Sequence, residues 1–110
     1  MDQKSLKLKE LLRGLAADFF SKESNRTSLI TVTGVDLKSR NGRATVLFTV
    51  MPEDQEAAAL DFMKRRLGDF REYVGEHARM MRVPFFDAEL DKGEKNRQRL
   101  DEIEKDMRGM

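Results

Sequence analysis

From Gln55 to Met81 the apolar residues Leu60, Met63, Leu67, Phe70, Val74 and Met81 keep the spacing of one helix face. At 1.5 Å per residue a straight helix over that run would be about 40 Å long. A chain of 110 residues has room for one domain, and that domain is too small for such a rod. The run must therefore kink or break. Gly68 and Gly75 interrupt it, and the break is expected at Gly68. Arg82-Val83-Pro84 ends the helical region, because the residue before a proline avoids the α conformation.

Around this bent pair the remaining elements fall into place. Leu8, Leu11, Leu12, Leu15 and Phe19 predict a helix over Ser5 to Lys22, with Gly14 costing it about 1 kcal/mol relative to alanine. Glu23 to Ser28 reads as a loop, in which Asn25-Arg26-Thr27 matches a glycosylation sequon. The match carries no weight here, since Met1 to Lys9 alternates charge with leucine and supplies no apolar signal region. Leu29 to Leu37 is a strand rich in β-branched residues, with Ile30 and Val32 on one face. Its alternation changes phase at Gly34, and a β-bulge at Thr33-Gly34 returns Val35 and Leu37 to the same face. Arg40-Asn41-Gly42 then signals a hairpin. The second strand, Arg43 to Met51, turns Ala44, Val46, Phe48 and Val50 inward and is closed by Pro52. Glu53, Asp54 and Glu56 suit the positive end of the helix that follows. Phe86, Ala88 and Leu90 alternate with Asp87 and Glu89 as a third strand. The fold class is α+β in the order α-β-β-α-α-β, one domain over residues 1–90. Residues 91–110 form a charged tail, in which Leu100, Ile103 and Met107 permit a marginal helix or a disordered segment.

Several function classes drop out. Without cysteine there is no disulfide, thiolate metal site or cysteine nucleophile. Without an apolar run of about 18 residues there is no membrane span, and a cytoplasmic setting is expected. His77 is the one histidine, and no serine is spaced to complete a triad with it. Asp87, Glu89 and Asp91 alternate along a strand, but no histidine or further acid completes a metal site. The scattered glycines open no phosphate-binding loop of the G-x-x-x-x-G-K kind. No enzyme, cofactor or small-molecule substrate is expected.

The layout of charge is more informative than its total of +1. Residues 1–13 carry a net +2, residues 36–43 a net +2 and residues 64–82 a net +3, whereas Glu53, Asp54, Glu56 and Asp61 form a block of −4. Such a chain can present a basic face and an acidic back, although both also suit ordinary solvated surface. The cluster Lys64-Arg65-Arg66 precedes Gly68, where a backbone without Cβ lets a phosphate approach closely. The plainer reading is that Gly68 lets two helices pack. Arg71 nearly coincides with Lys64 around a helix axis while Arg66 points away, so only a break brings them together. Stacking of single-stranded RNA would need an exposed aromatic; Phe48, Phe70 and Phe86 fall on core faces by pattern, whereas Phe85 and Tyr73 do not.

The element order, with bases around a helix break, is the layout of a type II KH domain, without the G-x-x-G loop of that fold. One family of the fold lacks the loop, and this sequence resembles it: ribosome-binding factor A. The resemblance rests on Lys7-Leu8-Lys9-Glu10-Leu11-Leu12-Arg13 in the first helix, Ile30-Thr31-Val32-Thr33 and Val35-Asp36-Leu37 in the first strand, and Ala44-Thr45-Val46 in the second. Gly68-Asp69-Phe70-Arg71, Gly75, Arg79, Val83-Pro84 and Asp91 continue it, so that it covers residues 4 to 103. Arg66 stands where the family's break carries alanine, Arg40-Asn41 replaces an Asp-Leu, and Met81 replaces an arginine. The resemblance implies a monomeric, non-catalytic assembly factor of the small ribosomal (30S) subunit that binds 16S rRNA late in maturation, supports growth in the cold and is released by other ribosome factors. Lys64, Arg65, Arg66, Gly68, Arg71, Arg79 and Arg82, with Arg43, Lys38 and Lys7, are the candidate RNA contacts. A binder of other RNA, or a protein-interaction module with opposed basic and acidic faces, remains open on the residues alone.

Overall fold

The computed structural model describes residues 3–23, 28–38 and 42–108. The sequon and most of the first loop, together with Arg40 and Asn41 of the hairpin, lie outside them. Helix α1 spans Gln3–Glu23, strands β1 and β2 span Leu29–Lys38 and Arg43–Met51, and a single 3-10 turn covers Glu53–Gln55. Helices α2 (Glu56–Arg65) and α3 (Leu67–His77), strand β3 (Phe85–Leu90) and helix α4 (Lys92–Arg108) complete the order. The sheet runs β1-β2-β3, with β1 antiparallel and β3 parallel to the central β2.

The register along β1 slips between Val32 and Gly34, leaving Thr33 unpaired as the extra residue of a bulge. Ile30, Val32 and Val35 are consequently all buried with Ala44, Val46, Phe48, Val50 and Ala88 on one sheet face. Helix α1 covers β1, α2 covers β2 and β3, and α3 wedges between α1 and β3. Leu12, Ala16 and Phe20 are the fully buried residues of α1. Leu11, expected on that face, is exposed, because the buried stripe runs one position further round the helix. Phe70 joins the layers, with its ring centroid 5.3 Å from Phe20 and 4.6 Å from Phe86.

The long helical run does break, but at Arg66 and not at Gly68. Arg66 has φ −101° and ψ 1°, its N–H closes α2 on the Met63 carbonyl, and its carbonyl accepts from Phe70 at 2.9 Å to start α3. The two halves serve different neighbours, which a straight rod cannot do: Met63 faces the sheet, while Phe70 and Val74 must reach α1 and β3. Helix α3 stops at His77, short of Met81. Met81 is fully exposed and is not part of the apolar helix face. Exposed His77 stacks on Tyr73 at 4.0 Å between centroids.

Past β3 the chain turns into α4. The Asp91 N–H donates to the Phe48 carbonyl at 2.8 Å, its carboxylate Oδ1 accepts from the Glu94 N–H at 3.0 Å, and Oδ2 accepts from the Thr33 hydroxyl at 2.5 Å. Asp91 is thus both the N-cap of α4 and the acceptor for the bulge residue. Further along, Lys95 lies 3.0 Å from Glu56, and Arg99 lies 3.1 Å from Glu53.

Candidate nucleic-acid interface

At the end of the sheet where β2 and β3 both begin, Gly42 adopts φ +61°, a conformation that favours glycine, and its carbonyl accepts the Phe85 N–H at 2.9 Å. The segment from Ala78 to Pro84 descends from α3 to this point. Arg71 braces it: Nε donates to the Pro84 carbonyl at 3.2 Å and Nη2 to the Val83 carbonyl at 3.1 Å. The same guanidinium lies 4.2 Å from the centroid of the Phe85 ring. An open groove results, lined by Gly42, Gly68 and Gly75 on its floor and by Arg82, Phe85 and Glu72 at its sides.

Gly68 is exposed, and a Cβ placed there would meet nothing within 4 Å. Close helix packing therefore does not explain this glycine; what it leaves is open floor. Of the three glycines lining the groove, Gly75 alone has a neighbour within ordinary contact, a Val83 methyl at 3.8 Å.

The basic residues singled out in the sequence do not form one patch. Gly68, Arg71 and Arg82 meet in the groove, and exposed Arg43 stands beside it as the register partner of Phe85. Arg65 and Arg66 instead border a shallow depression beside Phe62, so the break does not carry them into the groove. Arg66 Nη1 lies 3.2 Å from Asp69, and Lys64 is exposed at the end of α2. Arg79 is exposed on the descending segment and Lys7 on α1. Lys38 ends β1 opposite Arg43, its side chain outside the described residues. Among the described residues Arg43, Lys64, Arg65, Arg79 and Arg82 have no carboxylate partner, so their charge is available to an anion. Arg71 differs from them in that its Nε and Nη2 already donate to backbone carbonyls.

Gly42 and Gly75 were not among the expected contacts. Phe85 was legible, because its neighbour Phe86 takes the core side of β3 and strand alternation sends Phe85 the other way. Among the described residues no group of three His, Cys, Asp or Glu side chains converges to hold a metal ion, and no helix is long and apolar enough to cross a membrane.

The family model described as ribosome-binding factor A matches residues 4–104. The chain belongs to the ribosome-binding factor A family. The crystal structure of ribosome-binding factor A from Thermus thermophilus is similar to it, with a TM-score of 0.69 and 21% identity over 77% of this chain and 93% of that one. A candidate ribosome binding factor A from Thermotoga maritima, solved by NMR, has a TM-score of 0.65 and 20% identity over 80% of this chain and 87% of that one. At such identities the likeness establishes the fold, a three-stranded mixed sheet of KH-like form.

Proposed function

We propose that this chain is a non-catalytic assembly factor of the small ribosomal subunit that binds 16S rRNA during late maturation, acting as a cytoplasmic monomer. Membership of a ribosome-binding family supports the reading. The observation that carries it to RNA is the groove, where glycines without side chains line the same surface as Arg71 and Arg82, whose charge no carboxylate of the described residues neutralises. Its affinity comes mainly from phosphate contacts and falls steeply with salt. Shape, not the edges of paired bases, positions the protein.

Sedimentation of a cell lysate, with and without ribonuclease, tests this reading. The protein should travel with free small subunits and not with mature ribosomes. Movement with ribonuclease-sensitive loose RNA would replace the proposal by a general RNA binder. Movement with neither would favour a protein-interaction module. Reversal of Arg82, in the groove, to glutamate should weaken subunit binding and flatten its salt dependence while leaving the melt almost unchanged.

A further inference from the structure

Phe85 takes an outward position of β3, where the other outward residues are Asp87 and Glu89. Phe86 is turned to the core against Phe70, whereas the Phe85 ring at the start of the strand is 62% exposed. Nor is the ring loosely placed. Its backbone N–H is held by the Gly42 carbonyl, and the Arg71 guanidinium lies 4.2 Å from its centroid, itself locked to Val83 and Pro84. The ring borders the glycine floor, with Arg82 in the same groove and Arg43 beside it in register. A flat apolar surface, fixed in orientation and flanked by cations, matches a flat π-system carried on an anionic backbone.

We propose that Phe85 is a stacking platform for one unpaired nucleobase, with Arg82 and Arg43 taking the flanking phosphates and the floor at Gly42 and Gly68 admitting the strand. This rests on the reading that the chain binds RNA and names the class of ligand, a single-stranded segment. A duplex keeps its bases stacked on one another and offers none to the ring. Every base has a π-face, so the platform selects for strandedness and tolerates sequence. Glu72 lines the same groove, and its carboxylate disfavours a phosphate beside it.

The test is titration of the full chain into an eight-nucleotide single-stranded RNA carrying one 2-aminopurine, followed by its fluorescence. Phe85→Leu keeps an apolar side chain at an exposed position and removes the aromatic face. It should weaken binding by about 5- to 150-fold, abolish the stacking-induced change in fluorescence and leave the salt slope as it was. Phe85→Tyr should restore both. Arg82→Glu should weaken binding and lower the salt slope by about one. Equal binding by wild type and Phe85→Leu, no binding by wild type, or a duplex bound as tightly through Phe85, each overturns the proposal. If Phe85→Leu behaves as wild type on the octamer while both sediment with small subunits, stacking is wrong and the assembly reading stands. If stacking is observed without subunit sedimentation, the assembly reading is the one that falls.

Discussion

Where β2 begins, Arg43 and Arg82 find no carboxylate among the described residues, whereas where β2 finishes, Glu53 and Glu56 are held by Arg99 and Lys95. Both ends look charged in the sequence, one drawing on segments of +2 and +3 and the other on a block of −4. In the fold they differ in kind. Two of the four carboxylates of the acidic block, Glu53 and Glu56, are paired by α4, and Lys95 and Glu56 are both mostly covered. The basic end keeps its charge for something outside. The expected acidic back is therefore partly a latch, and a segment's net charge measures its field only where the fold leaves that charge unpaired.

The strongest way to break this contrast is to remove the core on which both ends depend. Val32→Asp places an unpaired carboxylate between β1 and the helices, and about 3–5 kcal/mol of stability should be lost. A thermal melt within two degrees of wild type would show the strand to be misplaced. Next in size, Arg43→Glu with Arg82→Glu should weaken small-subunit binding about 10- to 100-fold and leave the melt unchanged. Equivalent loss from Glu53→Lys, with the arginine variant intact, would invert the comparison and point to a protein partner.

At the latched end the effects are structural and smaller. Asp91→Ala removes both the N-cap of α4 and the acceptor for Thr33, and should cost about 2 kcal/mol in denaturant unfolding. An unchanged midpoint would mean that solvent replaces both bonds. Glu53→Lys opposes Arg99 and Lys95 at an exposed site, and should cost less than about 1 kcal/mol. Amide exchange along α4 should accelerate while the sheet's does not. Truncation after Asp91 should leave the cooperative melt in place, because the retained aspartate still receives Thr33.

How much of this was legible depended on the distance over which each feature is decided. The bulge at Thr33, the inward face of β2 and the exposure of Phe85 all follow from alternation among near neighbours, and all are found. The break was expected at Gly68 because glycine is the local weak point. It occurs at Arg66 because α2 and α3 pack on different partners, and that demand arises from the sheet and α1, not from the helix itself. Arg65 and Arg66 were grouped with Arg71 by position in the chain, and the same displaced break sends them to the Phe62 side.

By itself the sequence determined the elements as far as β3, their order, most of the inward residues and the membership in a family whose motifs recur at fixed spacing. Each is set by backbone periodicity, turn chemistry or short-range pattern, which a chain carries whatever its surroundings. Only the tertiary structure decided which charges remain available. Thr33 meets Asp91 across 58 residues, Lys95 meets Glu56 across 39, and Arg99 meets Glu53 across 46. Pairing at such separations depends on how helices and strands come to rest against a common core, and no local pattern encodes it.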